Sequence, residues 1–160
     1  MMSKTFRLID DISSINSDGV FSQHVSDIYP SSLTLNKENE EDSEANILDL
    51  KVIIKDNKFN VSVYDKRDAF PFKIVQFSGK DSNVPRSSVL GVFQSQIIRY
   101  FRICSDLDSF VDRLRNIILK FIQLGFEKRL LKSRFKCICS THDFRRKFTE
   151  IDMQVQSLFD

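Results

Sequence analysis

Leu107, Phe110, Val111, Leu114, Ile117, Ile118 and Phe121 recur at i, i+3, i+4 and i+7, a spacing that only one face of an α-helix satisfies. Ser105 with Asp108 three residues on resembles a capping box at the start of that helix. Gly125 ends it as a glycine suited to a left-handed stop. The same period runs through Val89, Val92, Phe93, Ile97, Tyr100 and Phe101. A strongly basic third helix is predicted from Glu127 to about Cys139, and a fourth over roughly residues 144–158. The Leu107–Phe121 stripe is therefore read as the core of a helical bundle.

Ahead of about Tyr64 the period is two instead. Phe6–Ile9 and Ile12–Ile15 are short apolar runs on either side of Asp10 and Asp11, a hairpin pattern with an acidic turn. Phe21–Tyr29 reads as a short helix stopped by Pro30, and residues 36–44 as an acidic solvent loop. Leu48, Leu50, Val52 and Ile54 then share a strand face, and Phe59, Val61 and Val63 match them across an Asp56–Asn57 turn. Residues 66–88 are an irregular connector that Phe70, Phe72 and Phe77 are expected to pin to the core. The predicted class is α+β: two antiparallel hairpins within 1–65, the connector, and a bundle of three or four helices over 89–160.

Composition narrows the function. The chain has 160 residues, 41% of them hydrophobic and 29% charged, which fits one globular domain able to bury its own core. No apolar run reaches the length of a membrane span, and the polar start MMSKTFR is not a signal peptide. Three cysteines, Cys104, Cys137 and Cys139, are too few for a disulfide framework and read as reduced thiols of an intracellular protein, cytoplasmic or nuclear. Charge is asymmetric. Residues 1–65 hold six Lys and Arg against twelve Asp and Glu, whereas residues 66–160 hold eighteen against ten. The basic half suggests a polyanion partner, although surplus surface cations also serve solubility alone.

Adjacent carboxylates at the tip of a rigid hairpin can ligate Mg²⁺, which takes hard oxygen ligands held close together. Paired metals of this kind stabilise the attacking and leaving oxygens of phosphoryl transfer. Asp-Asp pairs are also common in solvated turns, so Asp10 and Asp11 acquire meaning only from their surroundings. Cys137-x-Cys139-x-x-His142 is too tightly spaced for a zinc site and has no fourth ligand nearby.

Phe6-Arg7-Leu8-Ile9-Asp10-Asp11-Ile12 resembles the xDD hairpin of reverse transcriptases, with Leu8 where an aromatic residue is usual. That leucine either alters the contact with the incoming nucleotide's sugar or marks decay. Further segments follow in the family's order. Leu33-Thr34-Leu35-Asn36-Lys37 resembles motif D, and Ile47-Leu48-Asp49-Leu50 with Val61-Ser62-Val63-Tyr64 resembles the primer grip. Tyr64–Asp68 and Gly91–Tyr100 resemble the connector and first thumb helix of non-LTR and Penelope-like retroelement polymerases. The resemblance implies RNA-directed DNA polymerase chemistry, with Asp10 and Asp11 as metal-binding catalytic carboxylates. Lys37 would be a general acid toward pyrophosphate or else a solvated loop charge, and Leu48, Asp49 and Leu50 would form the primer grip. The family's other palm aspartate and its fingers would precede Met1. The expected reading is thus the end of the palm plus the thumb, inactive alone and prone to associate through uncovered apolar surface.

The thumb of that family packs on the template–primer duplex. The resemblance makes Arg99, Arg102, Lys128, Arg129, Lys132, Arg134, Lys136, Arg145, Arg146 and Lys147 candidate phosphate contacts. Contacts of this kind are independent of base sequence and steeply dependent on salt. The alternative for each residue is a solvated face opposite the apolar stripe. Two other functional readings stay open: a non-catalytic nucleic-acid-binding or interaction module derived from such an element, and a decayed remnant.

Overall fold

Phe110, Leu114 and Phe121 are wholly buried and Val111, Ile117 and Ile118 nearly so, with Leu107 packed at their edge, as the helical spacing requires. The computed structural model describes residues 4–8, 11–15, 19–37, 39, 41–72, 74–141, 147 and 158–159. Its elements are strands β1 (Lys4–Leu8) and β2 (Asp11–Ile15), helix α1 (Val20–Ile28), and strands β3 (Glu44–Ile47), β4 (Leu50–Lys55) and β5 (Lys58–Val63). A 3-10 turn (Lys66–Ala69) and helices α2 (Arg86–Ile103), α3 (Leu107–Gln123) and α4 (Lys128–Thr141) follow. The class is α+β, with antiparallel hairpins preceding a helical bundle. The helix expected over 144–158 lies outside the described residues apart from Lys147 and Leu158.

α1 stops where the sequence says it should. Tyr29 is extended, because the ring of Pro30 disfavours the helical conformation in the residue before it. Asp56 and Asn57 turn β4 into β5 with φ of 51° and 58°, the paired left-handed conformation of a tight hairpin turn. Leu50↔Val63, Val52↔Val61 and Ile54↔Phe59 then face one another. Burial fades along this face, from Val63 in the core to Ile54 and Phe59, which stand open near the tip.

Five local expectations are corrected. β3 pairs with β4 (Glu44↔Ile53 to Ile47↔Leu50), so the sheet has three strands, and Glu44 belongs to a strand instead of the acidic loop. Its side chain bonds Lys51 on the neighbouring strand at 2.6 Å. Leu48 and Asp49 consequently form the turn between β3 and β4, and Leu48 has φ 56°. Asp106, not Ser105, caps α3, accepting the Ser109 N–H at 2.8 Å. Of the connector's aromatics only Phe77 reaches the core, where it meets Phe121 at 5.1 Å between ring centres, while Phe70 and Phe72 remain exposed. Val92 likewise points outward from α2, and Leu90 is buried instead.

Phe121 is the hub of the bundle. Besides Phe77 its ring touches Phe93 of α2 and Phe126, at 4.9 and 5.4 Å between centres. Tilted aromatic contacts of this kind add to simple area burial. Gly125, at φ +88°, turns the chain between α3 and α4, a conformation a side chain would strain. The Phe126 N–H then reaches back to the Phe121 carbonyl at 3.1 Å. Leu131, Phe135 and Ile138 seat α4 on this core.

Candidate nucleic-acid interface

Asp11 pairs with Leu8 and is therefore the first residue of β2, exposed, rather than a loop-tip residue. Asp10 lies outside the described residues. The Arg7 guanidinium sits 5.6 Å from the Tyr29 ring centre, which ties the hairpin to the end of α1. Among the described residues no three His, Cys, Asp or Glu side chains gather as a metal ion requires. Of the two expected Mg²⁺ ligands only Asp11 lies among the described residues, and one carboxylate alone does not make a Mg²⁺ site. Lys37 bonds Asp42 at 2.9 Å and not Asp11, and that ammonium holds the Asp42 carboxyl below its usual range.

The residues read as a primer grip belong to a different place, a polar cleft of about 210 Å³ between the sheet and the bundle. Leu48 and Asp49 form one rim, and Gln96, Arg99 and Tyr100 of α2 form another. Arg99 donates to Asp49 at 2.5 Å, so two residues picked out separately in the sequence are brought together as an ion pair. Leu50 follows as the first residue of β4, half-buried opposite Val63.

Below this pair the cleft is held by Arg113, which the sequence did not single out, and by residues of the Tyr64–Asp68 segment. Arg113 of α3 donates to Asp68 and to the Val63 carbonyl, both at 2.6 Å, and so ties the 3-10 turn and β5 to the bundle. Asp65 caps the 3-10 turn by accepting the Arg67 N–H, and it also receives the Arg67 side chain at 2.7 and 3.0 Å. Partial burial pushes the Asp65 carboxyl up, but the Arg67 bonds and charge outweigh it and the net direction is down. Burial also pushes the Tyr100 hydroxyl up, opposed by the charges of Arg113 and Arg99.

α4 carries most of the remaining candidates. Its fourteen residues hold Lys128, Arg129, Lys132, Arg134 and Lys136 and no carboxylate. Leu131, Phe135 and Ile138 mark the buried side, Arg129 and Lys136 are exposed, and Lys128, Lys132 and Arg134 are half-buried on the flanks. Lys128, Arg129, Arg134 and Lys136 form no ion pair among the described residues. Lys128 and Arg129 occupy the first turn, where positive charge opposes the positive end of the helix dipole. Their placement does nothing for the helix itself.

Three further candidates differ among themselves. Arg102 is exposed in the last turn of α2, where a cation complements the helix dipole. Lys147 donates to the Phe101 carbonyl at 2.6 Å and lies 5.2 Å from the Phe101 ring centre, closing the end of α2. Burial pushes its ammonium down, partly offset by Cys104. Arg145 and Arg146 lie outside the described residues, as does His142. Cys137 is exposed and Cys139 half-buried on α4.

The family described as an animal helix-turn-helix domain matches residues 79–136, just over a third of the chain. The matched stretch contains α2, α3, the Gly125 turn and α4 through Lys136, and the similarity points toward nucleic-acid binding. No curated protein and no solved structure matches the chain significantly. No helix among the described residues is long and apolar enough to cross a membrane.

Proposed function

We propose that the chain binds nucleic-acid duplex through phosphate contacts from α4, as the palm-end and thumb portion of a retroelement reverse transcriptase acting on a template–primer. The observation that carries this reading is the charge of α4: its fourteen residues hold no carboxylate, and Lys128, Arg129, Arg134 and Lys136 are in no ion pair among the described residues. A helix that presents such a face, with cations at the end whose backbone N–H groups also point outward, favours a polyanion. The helix-turn-helix similarity supports the same class of partner. Such contacts read the backbone and not the bases.

In this reading Asp10 and Asp11 supply two of the Mg²⁺ ligands of an intact polymerase in the cytoplasm or nucleus, and the isolated chain does not extend a primer. The helix-turn-helix match specifically favours a second reading, a non-catalytic nucleic-acid-binding module. Binding of a fluorescent RNA–DNA hybrid at several salt concentrations tests what the two share. About four contacts at ~0.9 each give a log–log salt slope of roughly −3.6. A slope near zero, or no binding at low salt, overturns both. The two readings separate in a polymerase assembly containing this chain, where Asp10→Asn and Asp11→Asn abolish extension only if the first holds.

A further inference from the structure

Three residues of α4 carry a hydroxyl, and the helix does not use them alike. Ser140 and Thr141 both turn theirs back on the helix, each donating to the Cys137 carbonyl at 2.8 Å. Ser133, in the middle of the helix, is exposed, and its hydroxyl bonds no group among the described residues. A serine in a helix interior either bonds a carbonyl of the preceding turn or points into solvent, and Ser133 takes the second course. The helix gains nothing from it, because alanine at an exposed interior position is the better helix former.

What surrounds that hydroxyl is cationic. Arg129 lies four residues before Ser133 and Lys136 three after it, the two spacings that make neighbours on a helix surface. Both are exposed and in no ion pair among the described residues, whereas Arg67, Arg99 and Arg113 of the cleft are each held by a carboxylate. Long helical side chains lean toward the N-terminus, so the reach of Lys136 takes in the space above Ser133, while Arg129 reaches further along the helix. A short hydroxyl beneath an ammonium offers a phosphate one charged contact and one neutral hydrogen bond at a fixed point. No carboxylate of α4 competes for either.

We propose that the Ser133 hydroxyl and the Lys136 ammonium hold one backbone phosphate between them, with Arg129 on the next phosphate of the same strand. The inference rests on the nucleic-acid reading of α4 and deepens it, giving an uncharged residue the part of fixing where along the strand the helix sits. Charge alone lets a protein slide on a duplex, whereas a hydroxyl bonds only at hydrogen-bond distance.

The test titrates the full chain with the fluorescent RNA–DNA hybrid over a range of salt. Ser133→Ala is expected to raise Kd about five- to tenfold at every salt concentration. The salt slope stays as it was, because a hydroxyl displaces no counterion. The unfolding midpoint of the variant should hold or rise, so the loss is not one of folding. Added to Lys136→Ala, Ser133→Ala should cost much less than it does alone, since the two act on one phosphate. Added to Arg134→Ala, on the other flank of α4, its cost is expected in full. An unchanged Kd in Ser133→Ala overturns the proposal, and strict additivity with Lys136→Ala overturns the shared phosphate. A shallower salt slope in Ser133→Ala also overturns it, because the serine would then act by placing the cations. If the parent chain shows no salt-dependent binding, the nucleic-acid reading has failed; if the parent binds and Ser133→Ala binds equally well, the failure is confined to Ser133.

Discussion

Ser105 and Val61 exchange two hydrogen bonds, Ser105 N–H to the Val61 carbonyl at 2.8 Å and Val61 N–H to the Ser105 hydroxyl at 2.9 Å. A residue between two helices thereby completes the edge of a strand 44 positions earlier in the chain. Ser105→Ala removes the side-chain half of the exchange. We expect a loss of about 0.5–1.5 kcal/mol in urea unfolding, with an unchanged m-value. No change in midpoint means water replaces the hydroxyl at no cost.

Arg113 makes the other link, holding Val63 and Asp68 to α3. Its removal leaves the Val63 carbonyl without that donor in a part-buried setting. Arg113→Ala is expected to destabilise by about 1.5–3 kcal/mol. Arg113→Lys restores only part of this, because a single ammonium cannot span both acceptors as the guanidinium fork does. Equal stability of the two variants would show that charge, not fork geometry, makes the link.

Phe121 at the aromatic hub predicts a larger effect. Phe121→Ala opens a cavity among Phe77, Phe93 and Phe126 and is expected to cost about 3–5 kcal/mol, a large share of an ordinary domain's stability. Phe72→Ala, at an exposed ring, should move the unfolding midpoint little. Similar midpoint shifts for the two variants would contradict the assignment of Phe121 to the core.

On α4 the charges oppose the dipole, so stability and binding should respond in opposite directions. Lys128→Glu with Arg129→Glu is expected to raise stability by about 0.3–1 kcal/mol per site while it weakens duplex binding. Arg129→Ala with Lys136→Ala should reduce the salt slope by about 2. Parallel loss of folding and binding in the Glu variants would argue that these residues are structural.

Titration supplies one more expectation. The Asp65 carboxyl is lowered in the folded chain, so its contribution is present above the unfolded value near pH 4 and is lost as pH falls through the folded value. Unfolding followed at a series of pH values should show stability declining in that acid range. Asp65→Asn should flatten the decline. An unaltered pH profile in the variant would place the acid sensitivity at other carboxylates.

Local regularities made much of the fold legible. The Leu107–Phe121 stripe, the Asp56–Asn57 turn and the stop at Pro30 each follow from residues a few positions apart. β3 was hidden because Glu44–Ile47 continues an acidic run and becomes a strand only through pairing with β4. The Ser105–Val61 and Arg113–Val63 links span 44 and 50 residues and leave no periodic mark. For the candidate site, residue type was legible and occupation was not. Arg99 and Lys147 look like the other cations in sequence, yet one holds Asp49 and the other the end of α2.

Leu131, Phe135 and Ile138 anchor α4 along one side, and Arg129 and Lys136 project from the other. Substitution on the outer side therefore leaves the seat of the helix intact. A lineage carrying this chain could raise, lower or re-aim its grip on a polyanion one residue at a time, without passing through an unfolded intermediate form of the protein.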